Sequence, residues 1–186
     1  AIVNAKKKYP NYLFYKIANN NLDIIQNNFF DGSYLIMVLH HATDHQKIFS
    51  EIYNKTKFGG KFFICDLSSN NPIIKLGRYL FKFVPKYVKK NFEEDDLVVD
   101  GSIPDKYPVN IEQTKKKLLK AGFKIDEIGH GHLFFFLFDW LNRFIPIFNF
   151  KFFRYLFDQI CKLEKKLILT KVGKRYSEVF FIKCTK

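Results

Sequence analysis

The sequence predicts an α/β fold built on a parallel sheet, and three observations carry that expectation. Two apolar runs of strand length, Tyr34 to Leu39 and Lys61 to Ser68, flank a segment with helical periodicity. A second helical pattern, "IEQTKKKLLKA", leads directly into the strand-like "FKIDEIGHGH". Strands that alternate with helices pair in parallel, because each crossover returns the chain to the same end of the sheet.

Residues 1 to 8 read as the end of a helix halted ahead of Pro10. "YLFYKIA", Tyr12 to Ala18, is the first strand candidate, closed by the polar run Asn19-Asn20-Asn21. The next strand, Tyr34 to Leu39, is continuously apolar, as expected of a strand buried on both faces. Thr43 followed three residues later by Gln46 is a capping-box pattern, and Asp44 complements the helix dipole. A helix therefore begins near Asp44, with Ile48, Phe49, Ile52 and Tyr53 at helical spacing and Gly59-Gly60 just past its end.

After the Lys61 to Ser68 strand the pattern breaks down as far as Val109, a stretch long enough to read as a functional lid. Asn110 caps the next helix, which Gly122 closes. The aromatic "LFFFLFDWLNRFIPIFNFKFF" and a helical run with Leu156, Ile160, Leu163 and Leu167 follow, and "RYSEVFFIKC" makes a last strand. The expected organisation is one domain over residues 1–186, with 69–109 and 133–170 as cap or lid insertions.

Composition narrows the function classes. Phe supplies 23 of the 186 residues and the net charge is +13. A well-buried fold is expected, with a charge that suits an anionic partner or else spreads over a solvated lysine face. No dense Arg-rich block or RNA-binding signature points to nucleic acid. Three widely spaced cysteines, Cys65, Cys161 and Cys184, make neither a disulfide framework nor a zinc ribbon, which suits a reducing cytoplasm. The opening residues contain no secretory h-region, and their lack of an initiator Met is read as the mark of a fragment.

In a parallel α/β sheet, ligands bind outside the carboxyl ends of the strands. The loops of interest are then Asn19 to Asn21, His40 to Thr43, Asp66 to Asn70 and His130 to His132. "LHHATDH", Leu39 to His45, holds three of the five histidines. A metal site there is disfavoured: the cap leaves His41 outside the helix, and Ala42 stands where HExxH has Glu. Cys65, inside an apolar strand, reads as a small core residue rather than a nucleophile. "GHGH", Gly129 to His132, reads either as an exposed turn or as part of a substrate pocket.

The run "FFDGSYLIMVLHHATDHQKIFSEIYNKTKFGGKFFICDLSSNNP" resembles the middle of the class I S-adenosylmethionine-dependent methyltransferases. The shared positions are Phe30-Asp31, Leu39-His40-His41, Asp44, Glu51, Gly59-Gly60 and the strand from Lys61 to Asp66, an LHH…PGG type of pattern. "LLKAGFKIDEI" and "YSEVFFIKC" resemble the family's later helix-to-strand passage and its final antiparallel strand. The resemblance implies a Rossmann-like sheet of strand order 3-2-1-4-5-7-6 and S-adenosyl-L-methionine as cofactor. The family's GxGxG loop and the acidic residue that ends its second strand have no counterpart in this sequence. The chain therefore reads as N-terminally truncated, with the first two strands missing, and as binding the cofactor poorly or not at all by itself.

By the same resemblance, Leu35, Ile36 and Met37 line the methionine and ribose side of the cofactor. Asn19 or Asn20 stands near the adenine, where the family has an acidic residue. His40 and His41 face the mouth where the acceptor arrives, and either is a candidate base. Methyl transfer from a sulfonium is an in-line displacement that needs alignment above all, with an imidazole suited to taking a hydroxyl proton. The implied acceptor is a small molecule, a lipid or a glycan. A nucleic-acid acceptor is disfavoured, since no NPPY-like or DPPY-like strand end follows Leu39. The rival reading is a non-catalytic module of the same fold that binds an anionic membrane surface through "GRYLFKFVPKYVKK" and "HLFFFLFDWLNRFIPIF". The latter stretch is too interrupted to span a bilayer and serves equally as a cap helix.

Overall fold

A computed structural model describes residues 2–15, 22–72, 75, 76, 79, 83 and 109–186. The described elements run α1 (Ile2–Lys8), β1 (Phe30–Ile36), α2 (His45–Lys55), β2 (Thr56–Leu67), α3 (Ile111–Ala121), β3 (Lys124–Gly131), α4 (Phe135–Phe144), α5 (Lys151–Leu167), α6 (Lys171–Tyr176) and β4 (Val179–Thr185). The strands form one sheet of order β1-β2-β4-β3. β1 and β2 pair in parallel, whereas β4 runs antiparallel to both β2 and β3. This order corresponds to strands 4-5-7-6 of the sheet implied by the resemblance.

Inward-facing alternation builds the core. Phe62 and Ile64 of β2 and Phe180, Ile182 and Cys184 of β4 share one face and are completely buried. Phe49 and Ile52 of α2, Leu118 of α3, and Phe123 close over that face. Burying a Phe in such a setting contributes roughly 2–3 kcal/mol. Phe49–Phe62, Phe62–Phe123 and Tyr53–Phe123 ring contacts at 6.2, 5.2 and 5.1 Å knit the helix layer to the sheet. On the opposite face Phe63 and Phe181 stack at 6.2 Å, and Phe181 lies over Gly129, where a Cβ would come within 1.7 Å of its ring. Only glycine fits that cross-strand position.

α3 matches the sequence reading at both ends. The Asn110 side chain accepts from Gln113 N at 3.1 Å, and Gly122 takes the left-handed conformation at φ 106°. Five other expectations require correction. The stretch Tyr12 to Tyr15 is not a strand, and the remainder of that candidate, with Asn19 and Asn20, lies outside the described residues. β1 is at the edge of the described sheet and gives such a strand no ladder there. The strand expected at Tyr34 to Leu39 instead runs Phe30–Ile36, because its register against β2 begins at Phe30 opposite Thr56, and Met37 turns it at φ 55°. Nor is it buried on both faces, for Tyr34 and Ile36 are exposed.

The cap of α2 is Asp44, which accepts from Lys47 N, one residue beyond Thr43. Gln46 instead donates to the Lys117 carbonyl of α3 at 3.3 Å. Finally, Gly59-Gly60 lies inside β2 rather than between helix and strand, since β2 starts directly after α2 at Thr56. Most of the expected 69–109 insertion lies outside the described residues; Val109 bridges back to Ser68.

Candidate functional site

The carboxyl ends of β1, β2 and β3 open on the same side of the sheet, which follows from β4 being antiparallel to both of its neighbours. Asp66, one residue before the end of β2, is completely buried there. A buried carboxylate costs several kcal/mol unless hydrogen bonds replace its lost water. Four groups do so. Oδ2 accepts from the backbone N–H groups of Val38 and Leu39 at 3.1 and 2.8 Å. Oδ1 accepts from Leu67 N and from His40 Nδ1, both at 2.7 Å.

Three of the four contacts, those from Val38, Leu39 and His40, hold the segment that leaves β1, while the bond from Leu67 N is local to β2. Met37 N still donates to the Cys65 carbonyl at 2.9 Å, after which the chain enters a single 3₁₀ turn, Leu39–His41. Asp66 receives the N–H groups at the start of that turn, which have no partner within it. From the other side, His45 Nε2 donates to the Leu39 carbonyl at 2.8 Å. The turn is thus clamped between the end of β2 and the first residue of α2.

These bonds give the three histidines three different roles. His45 is buried, and its Nε2 must carry the proton, since a carbonyl only accepts. His40 is buried with Nδ1 donating to a carboxylate, which puts the basicity of the ring at Nε2. His41 is exposed, and its ring lies 4.0 Å, centroid to centroid, from that of His40 at a tilt of 48°. Of the residues the sequence singled out, Leu35 packs against the core, while Ile36, Met37 and His41 are exposed at the carboxyl end of β1. Burial, helped by neighbouring Asp66, pushes the Cys65 thiol up, opposite to what a nucleophilic cysteine requires.

A second feature opens on the same side of the sheet. An apolar cavity of about 250 Å³ is lined by Pro72, Leu133, Phe134, Leu167, Val172 and Tyr176, with Asn71 at its wall. Asn71 Nδ2 donates to the Tyr176 carbonyl at 2.6 Å and ties the exit of β2 to the end of α6. Buried Glu164 of α5 receives the backbone N–H groups of Leu133 and Phe134 just ahead of α4. α5 is thereby anchored over the exit of β3. His130 Nδ1 lies 3.0 Å from Ser177 Oγ, so "GHGH" is the end of β3 rather than a free turn.

The sequence placed Asp66 at the head of a loop of interest but not as a clamp, although a signal was present: "KFFICD" ends an apolar strand on a carboxylate that burial forces to find donors. Among the described residues no cluster of three or more His, Cys, Asp or Glu side chains is placed to hold a metal ion.

Comparison with known proteins agrees with this architecture. Residues 1–64 match a family model described as a methyltransferase domain. An S-adenosylmethionine-dependent methyltransferase from Mesorhizobium loti superposes with a TM-score of 0.55 at 14% identity, covering 100% of this chain and 75% of its own. A Thermotoga maritima S-adenosylmethionine-dependent methyltransferase, described as a possible histamine N-methyltransferase, gives 0.51 at 16% identity, covering 96% and 66%. The [4+2]-cyclase SpnF gives 0.56 at 14% identity, covering 98% and 61%, so the same fold also carries other chemistry. The chain spans 63% of the length of an S-adenosylmethionine-dependent methyltransferase from Archaeoglobus fulgidus, which it matches with a TM-score of 0.49 at 13% identity, covering 89% of this chain. No curated protein sequence matches the chain. The fold is that of the S-adenosylmethionine-dependent methyltransferases.

Proposed function

We propose that these residues form the acceptor-side half of a methyltransferase site, which moves a methyl group from S-adenosyl-L-methionine to a small-molecule, lipid or glycan acceptor. The observation that carries the reading is the clamped turn: Asp66 and His45 fix Met37 to His41 at the strand-end position where such a sheet binds its ligand. A site that works by alignment needs a loop that does not shift.

The residues present fit one wall of the cofactor. Met37 and Val38 offer exposed apolar surface to its methylene chain or adenine, and Ile36 lies beside them. A ribose-binding carboxylate and a Gly-rich loop are not among the sequence features of this chain. When bound, the cofactor supplies a methyl group already activated on sulfur. The protein's part is to orient the acceptor and receive its proton. His41 is the exposed imidazole on the turn, its ring tilted against that of the immobilised His40, and we assign it the role of base. The apolar cavity on the same side of the sheet favours an acceptor with an apolar portion, and α4 and α5 act as its cap.

The test is titration with S-adenosylhomocysteine followed by backbone amide NMR, which detects even weak binding. Saturable shifts centred on Met37 to Ala42 are expected. Amides unmoved at millimolar ligand, or shifts centred elsewhere, overturn the reading.

A further inference from the structure

α5 divides into three sectors when its residues are placed at about 100° each around the axis. Phe153, Phe157 and Glu164 lie in the inward sector. Phe157 packs against Phe138 and Phe148 at 5.2 Å, and Glu164 holds the start of α4. Arg154, Lys165, Lys151 and Lys162, with Asp158 among them, form an exposed and predominantly basic sector. Between the basic and inward sectors, Tyr155, Lys166, Phe152 and Leu163 share an arc of about 80°. There Phe152, Tyr155 and Leu163 are 68, 64 and 54% exposed.

A helix with a buried face satisfied by its own protein normally turns polar residues outward. Here an apolar stripe faces outward beside a cationic band. Residues 150–176 contain eight lysines and arginines against only Asp158 and Glu164, and Glu164 is buried in its bonds to the α4 junction. The exposed apolar side chains continue at both ends of the helix, with Phe150 before it and Leu169 and Val172 after it.

We propose that this outer face of α5 docks on an anionic lipid bilayer, lying in the headgroup plane with Phe152, Tyr155 and Leu163 entering the acyl boundary. Aromatic and aliphatic side chains beside lysines match that boundary, where apolar surface leaves water while cations meet phosphate. The charges on α5 preclude a transmembrane placement, and among the described residues no helix is long and apolar enough to cross a membrane. The stripe lies on Lys151–Leu167, whereas the surface anticipated in the sequence combined "HLFFFLFDWLNRFIPIF" with "GRYLFKFVPKYVKK", most of which lies outside the described residues.

The experiment is co-sedimentation of the full chain with phosphatidylcholine vesicles, with and without about 30 mol % phosphatidylserine. Binding is expected only with the anionic lipid, and it should weaken roughly tenfold or more when salt is raised to about 0.5 M. A Phe152→Ser, Leu163→Ser variant and a Lys151→Glu, Lys162→Glu, Lys166→Glu variant each alter exposed positions only. Both should keep the circular dichroism spectrum and lose about tenfold or more in partitioning. A Phe152→Trp reporter should be quenched by bromine-labelled acyl chains. Absence of anionic vesicle binding, full binding by the Ser variant, or an unquenched reporter overturns the proposal. So does a dimer that the Ser variant dissolves while vesicles bind nothing, which would make a second copy the occupant. None of these readouts needs methyl transfer, so their failure leaves the proposed function standing.

Discussion

Asp66 Oδ1 lies 2.7 Å from His40 Nδ1, and this contact couples the end of β2 to the turn that follows β1. Both side chains are buried, so neither can turn to water if the other is removed. Asp66→Asn places an NH₂ group against donors that need an acceptor. It should cost about 2–4 kcal/mol in urea denaturation. His40→Ala should cost about 1–3 kcal/mol, whereas exposed His41→Ala should change stability by no more than about 0.5 kcal/mol. If His41 is the base, that same change abolishes most turnover in an active assay. Turnover preserved from about pH 6 to 8 would remove the assignment.

The fit between Gly129 and Phe181 yields a second prediction. A methyl group at Gly129 meets the ring at 1.7 Å, so Gly129→Ala should destabilise by about 1–3 kcal/mol or more. Combining it with Phe181→Leu should recover part of that loss. Strict additivity of the two changes would show that the ring is not the obstacle.

Burial, then the charge of Lys174, depresses the His130 pKa. The unfolded chain consequently binds this proton at higher pH than the native protein does. The stabilising difference is complete above the ordinary histidine range, near ~6.5, and is lost as pH falls through the lowered native value. Unfolding at about pH 5 and pH 8 should therefore differ more in the wild type than in His130→Gln. An equal difference in both proteins would assign the acid sensitivity to other groups.

The Cys184 thiol is pushed up to about 12 by burial, with Asp126 adding to the effect. At about pH 8 it should resist a thiol reagent until the protein unfolds, because thiolate is the reacting form. Mass spectrometry of the labelled peptides would check this. Rapid native labelling at Cys184 would mean that β4 detaches easily.

What was legible in the sequence depended on whether the deciding contact was local. Asn110 and Gly122 bound α3 with chemistry contained in four consecutive residues at each end, and both were read correctly. The cap of α2 was misplaced by one residue because Gln46, which would have completed a box with Thr43, is drawn to Lys117, 71 residues away. β1 was shifted because Phe30 and Gly32 owe their strand conformation to pairing with Thr56 and Lys61. Hydropathy of the segment alone carries no such information. The histidine-rich loop was located from the order of strands and helices. The division of labour within it was not, since His40 and His45 are defined by Asp66 and by a carbonyl that only folding brings near.

β1 is an edge strand of the described sheet. An edge strand offers its unused backbone groups to any passing chain, and uninterrupted apolar edges grow into aggregates. Here the register slips between Phe30 and Gly32, and Asp31 pairs with Lys57 at 2.7 Å on the exposed surface. That irregularity and that charge spoil the first half of the strand as a template. Only Gly32 to Ile36 remains regular, too short a stretch for a second molecule to propagate from. At the edge of the described sheet, β1 is thus guarded over half its length against pairing with a second molecule.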